Sequence, residues 1–245
     1  MKLLPLSANL LGKTKNKLDM AKEKVNEKEL LRKENLEETV SKTDKFYNEN
    51  KKTIWTVVCV LVVLALAVFA YVKLVYQPKC VEAAQQAFPA EQSFAAGEFE
   101  LALNGDGNVL GLADIISEYG GKAGAAVYME AGVCALQLGQ YEDALAYLKK
   151  YNGKEPILAA RALACQGDAY VGLEKFNEAA AAYDKAASKA DNVFAAAYLL
   201  KAGIVYEQLG DKAKAISCYR TIKEKYPQSV EGYEIDKYIT RAEAE

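Results

Sequence analysis

Residues 125–156 read AAVYMEAGVCALQLGQYEDALAYLKKYNGKEP, and the pattern of this stretch returns twice further along the chain. A second segment begins at Ala160 and a third at Ala196, so the offsets are 35 and 36 residues. The small residues that the three segments share are Gly132, Gly167 and Gly203 at the eighth place and Ala144, Ala179 and Ala215 at the twentieth. Self-similarity at this period predicts an array of stacked helix pairs.

Each place in the repeated pattern has a physical role. Small residues at places eight and twenty let the two helices of a pair approach closely. Aromatic residues at places eleven, seventeen and twenty-four fill the space between neighbouring pairs. Gly139 and Gly210 at place fifteen permit the turn between the helices. Pro156 and Pro227 at place thirty-two end the second helix. Residues 125–229 therefore resemble the tetratricopeptide-repeat (TPR) motif, whose units are antiparallel helix pairs.

The segments on either side of 125–229 are predicted to complete the array. Residues 77–124 form a linker and a degenerate TPR-like unit, in which GEFELAL (97–103) matches the turn and the start of a second helix. The glycine-rich run that follows breaks this helix. Residues 230–245 form a capping helix, because the last pair of an array would otherwise expose apolar surface. The residues predicted for its inner side are Val230, Tyr233, Ile235 and Tyr238.

The first third of the chain contains an apolar run that suits a membrane span. Residues 53–72 read TIWTVVCVLVVLALAVFAYV and carry no charge. Twenty residues at about 1.5 Å each match a hydrocarbon core of roughly 30 Å. The sequence thus predicts a transmembrane helix over 53–76. The fold class is all-α: a single transmembrane helix followed by a TPR helical-hairpin solenoid with a C-terminal capping helix.

The charges beside the span predict its orientation. Lys42, Lys45, Lys51 and Lys52 precede the run, whereas the first 20 residues from Gln77 contain only Lys79. The positive-inside rule then places residues 1–52, a charged and partly helical segment, in the cytoplasm. The TPR domain lies on the other side, in the periplasm if the membrane is a bacterial inner membrane.

Composition argues against catalysis, metal binding and nucleic-acid binding. The chain has no His, and no C-x-x-C pair occurs among its five cysteines. The commonest general base and the closely spaced ligands of a zinc site are therefore missing. Asn104, Asp106 and Asn108 alternate as calcium ligands do, but Val109 and Ile115 occupy places that need Gly and Glu. The acidic balance of residues 77–245 opposes binding to phosphate backbones. We expect no enzyme activity, no cofactor, no metal and no small-molecule substrate.

The predicted binding surface is the concave groove, which the first helix of each TPR unit forms. Its candidate residues are Met129, Val133, Leu136, Arg161, Asp168, Leu200, Ile204 and Glu207. TPR domains that bind acidic chaperone tails carry Lys and Asn in this groove, and this chain does not. The groove is mostly apolar and suits an amphipathic or extended apolar segment of a partner. Alternatively, the same residues pack against the chain's own 80–120 region.

A short cytoplasmic segment, one anchor and a TPR domain beyond it resemble the layout of YfgM-type proteins of Gram-negative inner membranes. That resemblance implies a scaffold that links the SecYEG translocon with periplasmic chaperones during envelope protein export. Two alternatives stay open. One is a structural TPR component of another envelope complex, in secretion, outer-membrane assembly or division. The other is a cytosol-facing TPR receptor, which requires the opposite topology.

Overall fold

The computed structural model describes residue 32, residues 45–190 and residues 192–244. The chain divides into two compact units, Met1–Ala70 and Tyr71–Glu245. Within the described residues the secondary structure is helical, and the only bridge between extended residues joins Gly105 to Leu110. The all-α prediction is therefore confirmed. Most of the predicted charged segment 1–52 lies outside the described residues.

The described part of the first unit is an apolar helix whose large side chains do not enter a core. Val63, Leu66 and Phe69 are each more than 60% exposed. They belong to the helical segment Lys45–Ala96, which is long and apolar enough to cross a membrane, judged by length and composition. None of the side chains in its most apolar window is buried. This helix is a candidate membrane span.

The second unit begins with a π-helical turn, Val72–Tyr76, followed by ten α-helices. In chain order they are α1 (Gln77–Ala96), α2 (Phe99–Asn104), α3 (Leu112–Tyr119), α4 (Ala125–Gln137), α5 (Tyr141–Leu148), α6 (Pro156–Gly172), α7 (Phe176–Ala190), α8 (Ala195–Gln208), α9 (Lys212–Lys225) and α10 (Val230–Ala244). Successive helices from α4 to α10 pack on one another, and α2 and α3 both contact α4.

Three helix pairs form the repeats: α4 with α5, α6 with α7, and α8 with α9. In each pair the glycine at place eight lies against a large side chain of the second helix. A Cβ atom at Gly132 would lie 2.5 Å from Leu148, at Gly167 2.5 Å from Tyr183, and at Gly203 2.2 Å from Tyr219. The sequence prediction that small residues permit this close approach is confirmed.

One aromatic contact shows how neighbouring pairs fit together. The Tyr141 ring, at place seventeen of the first repeat, lies where a Cβ atom on Gly172 of the next repeat would be. At place twenty-four, Tyr183 mainly fills the space within its own pair, against Gly167. The prediction that aromatic residues pack between pairs is thus confirmed for Tyr141, whereas Tyr183 packs within a pair.

The turns within the pairs use a left-handed residue at place fifteen. Gly139 and Gly210 both have a φ of +73°. In the middle repeat the same place holds Glu174, the one non-glycine residue with positive φ in the described part of the chain, at 59°. The prediction for Pro156 is wrong: α5 already ends at Leu148, and Pro156 begins α6. Proline suits a first helical position because no backbone donor is needed there.

The last helix, α10, covers the open end of the array with one face. Ile235 is almost fully buried and joins a cluster with Tyr219 and Ile222 of α9. Val230 and Tyr233 are 83% and 79% exposed, so the prediction that they face inward is wrong. Both lie on the side of α10 opposite Ile235, Tyr238 and Ala242, the residues that face the array.

Candidate protein-binding groove

The first helices of the repeats, α4, α6 and α8, carry the predicted groove residues. On α4, Met129, Val133 and Leu136 recur at intervals of four and three residues, which places them on one helix face. This face borders a cavity of about 410 Å³ at the N-terminal end of the array. A volume of this order is typical of small-molecule or side-chain binding pockets.

The wall of the cavity is mostly apolar, with four charged residues. Its larger apolar residues are Phe94, Met129, Val133, Tyr151 and Leu158. Its charged residues are Glu130, Lys154, Glu155 and Arg161. The apolar and charged residues together come from α1, α4, the loop after α5 and the start of α6. The cavity therefore lies where the repeat array meets the helix that precedes it.

Three of the eight predicted groove residues meet at this cavity. Met129 and Val133 form its floor and are largely buried, and Arg161 stands exposed at its edge. Leu136 does not line the cavity; it is partly buried against the core that α1 to α6 share. That a partner protein binds to this apolar surface of the first repeat stays a prediction.

In the middle repeat, the predicted groove residue Asp168 is bound by the chain itself. Its Oδ1 accepts hydrogen bonds from the Tyr183 hydroxyl and from Lys201 Nζ, each at 2.6 Å. Burial, together with this bond to a carboxylate, raises the pKa of Tyr183 and keeps the phenol protonated as a donor. Asp168 thus joins the second repeat to the third.

In the third repeat, the predicted groove residues either contact other residues of the chain or lie on the surface away from the cavity. Glu207 Oε2 accepts a hydrogen bond from Arg241 of α10 at 2.6 Å. Leu200 is partly buried against the cluster beneath α10. Ile204 is 40% exposed. None of these three lines the cavity of the first repeat.

The sequence prediction missed several residues of the cavity, above all Phe94 and Leu158. Phe94 lies on α1, outside the repeats, and packs edge-on to Phe99 with ring centroids 6.1 Å apart. Its presence agrees in part with the alternative that the groove contacts the chain's own 80–120 region. Leu158 is 47% exposed at the start of α6.

Glu130 is a partly buried acidic residue in the wall of the cavity. Its Oε2 atom is buried and accepts no hydrogen bond from the described residues. Burial raises the pKa of Glu130 to about 7, and the negative charge of Glu91 on α1 adds to the shift. Glu130 was not among the predicted groove residues, because its place in the repeat is not one that usually faces the groove.

The cysteines of the repeats behave as small core residues. Cys134, Cys165 and Cys218 are buried. Burial raises the pKa of the Cys134 and Cys218 thiols to about 12. A thiol with so high a pKa is a poor nucleophile at neutral pH. Among the residues that the structure describes, no group of three metal-ligating side chains comes together.

Comparison with known proteins identifies the repeats. Family models described as "Tetratricopeptide repeat" match residues 125–152 and residues 166–230. This chain contains tetratricopeptide repeats. The matches fall on the TPR pairs α4–α5 and α6–α9, and they support a protein-interaction scaffold, since such units bind other proteins.

Two solved structures titled as crystal structures of MamA are similar to the TPR chain. One is 21% identical, covers 63% of this chain and 92% of its own, and has a TM-score of 0.48. The other is 20% identical, covers 67% of this chain and 90% of its own, and has a TM-score of 0.49. No curated protein matches the sequence.

Proposed function

We propose that this protein is a membrane-anchored scaffold whose TPR groove binds a partner protein at the cavity beside α4. The observation that carries the proposal is the contrast along the groove. Asp168 and Glu207 are bound by Lys201 and Arg241 of the same chain. The cavity at Met129 remains open, with apolar walls of the kind that bind an apolar side chain.

The proposed anchor is the apolar helix over residues 53–76. Its exposed valine, leucine and phenylalanine side chains form no core, so a bilayer is the medium that would remove them from water. Lys51 and Lys52 before the run and Lys73 after it would reach the headgroup regions. Anchoring confines the TPR domain to the membrane surface, which raises its effective concentration near membrane partners.

The lysines before the span support a cytoplasmic N-terminus and a periplasmic TPR domain in a bacterial inner membrane. With that topology, the resemblance to YfgM-type proteins favours a role between the SecYEG translocon and periplasmic chaperones. The scaffold would hold a chaperone near emerging envelope proteins and would need no chemistry of its own. The absence of enzyme activity stays a prediction.

Photocrosslinking from the cavity tests the proposal. Replacing Leu158 by p-benzoylphenylalanine puts a reactive group at the edge of the cavity, and the same replacement at exposed Tyr233 provides the matched control. In membranes of living cells, we expect Leu158 to give a discrete adduct with a translocon subunit or a periplasmic chaperone, identified by mass spectrometry. We expect no such adduct from Tyr233.

The identity of the adduct decides between the alternatives. A discrete adduct with a subunit of another envelope complex would keep the scaffold and replace the translocon as its partner. Adducts with cytosolic proteins would favour the cytosol-facing receptor. The same adducts from Leu158 and Tyr233, or none from either position, would contradict binding at the cavity.

A further inference from the structure

The cavity beside α4 contains a carboxylate that the chain leaves unsatisfied. Glu130 Oε2 is buried without a hydrogen-bond partner among the described residues. A buried polar group without a partner is unfavourable, and the cost is larger for a charged group. Glu130 lies directly after Met129, the residue at the apolar floor of the same cavity.

The charged groups around Glu130 do not compensate it. Glu91 of α1 adds a second negative charge nearby. Lys154 and Arg161 line the same cavity, yet neither forms an ion pair with Glu130 or with any other acid in the described part of the chain. The lining of the cavity has two acids, Glu130 and Glu155, and two bases, Lys154 and Arg161, and Glu91 adds a third acid near Glu130. The remaining neighbour on α4, Cys134, is a neutral thiol.

The apolar part of the wall sets the second requirement for a ligand. Phe94, Met129 and Leu158 surround a volume of about 410 Å³, which exceeds that of one large side chain. Removing an apolar side chain from water is favourable. A ligand that fills this volume without a donor would leave Glu130 unpaired, so the best ligand carries both an apolar body and a cation.

We propose that the cavity takes a partner segment that places an apolar side chain against Met129 and the cation of a neighbouring lysine or arginine against Glu130. This rests on the proposed function and names the chemistry of its partner. A charge-assisted hydrogen bond to a carboxylate is about twice as strong as a neutral one. The cavity therefore selects basic-apolar segments and rejects acidic ones.

A series of three small probes tests this selectivity on the full chain in lipid nanodiscs. The probes are 3-phenylpropylammonium, 3-phenylpropan-1-ol and 3-phenylpropionate, which share an apolar body and differ in charge. The methyl group of Met129 provides the readout in ¹³C-methyl NMR. The other two of the three methionines, Met1 and Met20, lie in the first 20 residues of the chain.

At pH 8, above the pKa of about 7 that burial gives Glu130, its carboxylate is charged. We expect saturable shifts of the Met129 signal, with the ammonium probe binding about tenfold tighter than the alcohol and the propionate weakest. In Glu130→Gln the ammonium and alcohol should bind equally. Glu142→Gln makes the same change at an exposed site of α5 and should preserve the tenfold preference.

The inference is overturned if the propionate binds as tightly as the ammonium, since Arg161 or Lys154 would then be the recognition group. It is also overturned if no probe shifts Met129, or if Glu130→Gln keeps the preference. Failure of the proposed function looks different, because the crosslinks from Leu158 would be absent while the ammonium preference persisted.

Discussion

Glu174 has a left-handed backbone conformation at a place where the other two repeats have glycine. It has a φ of 59° at the turn between α6 and α7, whereas Gly139 and Gly210 fill this place in the other repeats. The left-handed region costs a residue with a Cβ about 1–2 kcal/mol. We expect Glu174→Gly to raise the free energy of unfolding by about 0.5–1 kcal/mol, because glycine's greater entropy in the unfolded chain offsets part of the relief.

Chemical denaturation of the full chain measures this change. Gly210→Ala is the opposite substitution at the same place of the third repeat and provides the control. A Cβ atom there meets nothing within 4 Å, so it adds only backbone strain. It should lower the free energy of unfolding by about 1 kcal/mol. A Glu174→Gly variant less stable than the wild type would show that the Glu174 side chain makes a stabilising contribution that outweighs its backbone strain.

Gly203 sets the separation of α8 and α9. A Cβ atom there would lie 2.2 Å from Cε1 of Tyr219, whose ring is fully buried and has no room to move. Overpacking of this kind costs about 1–3 kcal/mol, and we expect Gly203→Ala to lower the free energy of unfolding by that amount. Gly121→Ala, where a Cβ atom meets nothing within 4 Å, should change it by less than about 0.5 kcal/mol. Equal effects of the two substitutions in denaturant titrations would contradict the argument.

Glu130 makes the stability of the TPR domain depend on pH. Its pKa rises from 4.5 in the unfolded chain to about 7 in the folded one. Between these values the folded chain keeps a proton that the unfolded chain has lost. The free energy of unfolding therefore falls as the pH rises from about 4.5 to about 7. Glu130→Gln removes this dependence, because an amide does not titrate.

At pH 8 we expect Glu130→Gln to have a free energy of unfolding higher than that of the wild type by an amount on the order of 1 kcal/mol. The variant should therefore also melt at a higher temperature. The advantage should shrink towards pH 4.5, where the wild-type carboxyl is protonated in both states. Thermal melting followed by circular dichroism measures the difference. The exposed Glu142→Gln variant is the control, and its melting temperature should differ from that of the wild type by the same amount at pH 8 and at pH 4.5. If Glu130→Gln also differs from the wild type by the same amount at both pH values, the prediction is wrong.

At the scale of elements, α10 stabilises the array by covering its last pair. Ile235 is 1% exposed, and its cluster with Tyr219 and Ile222 is continued by the Tyr238 ring, 5.5 Å from that of Tyr219. We expect Ile235→Ala to lower the free energy of unfolding by about 2–5 kcal/mol. Val230→Ala, on the exposed start of the same helix, should cost less than about 0.5 kcal/mol. Denaturation curves that change equally for both variants would mean that α10 is not a cap.

The repeat pattern predicted the helix pairs but not the partners of their polar side chains. The turn glycines follow from sequence because local backbone geometry decides them. The eighth-place glycines follow because the same close contact between two helices recurs in each repeat. Asp168 and Glu207 have the right places for the groove, but their partners Lys201 and Arg241 come from the following helix pair or the cap, 33 and 34 residues later. Periodicity assigns a face to a residue and does not decide whether a cation on the next unit neutralises it.

The cavity was only half predictable for a related reason. Met129 and Val133 follow from their places in the first repeat, whereas Phe94 belongs to α1, whose sequence does not keep the pattern. Packing between a repeat and a non-repeated helix depends on shape across the contact. Such shape complementarity is not encoded in the spacing of either segment.

At the scale of the whole molecule, the charge distribution divides the chain into two regions. Residues 1–53 carry 13 basic and 9 acidic residues, a balance of +4, whereas residues 77–245 carry 17 and 24, a balance of −7. The two regions lie on either side of the apolar run. The part of this difference that bears on topology is the lysines close to the span, because basic residues beside a span resist translocation.

This asymmetry predicts the sidedness of the protein in a bacterial inner membrane. Alkaline phosphatase, which is active only after export, should be active when it is fused after residue 245 and inactive when it is fused after residue 50. A green fluorescent protein at the same two positions should give the reverse pattern. Replacing Lys42, Lys45, Lys51 and Lys52 by glutamine removes four of the positive charges before the span and should reduce export of the C-terminal fusion. The contrary result would be an inactive phosphatase and a fluorescent reporter at the C-terminus, which would put the TPR groove in the cytosol. That result would exclude periplasmic chaperones as partners of the groove. It would favour the cytosol-facing receptor.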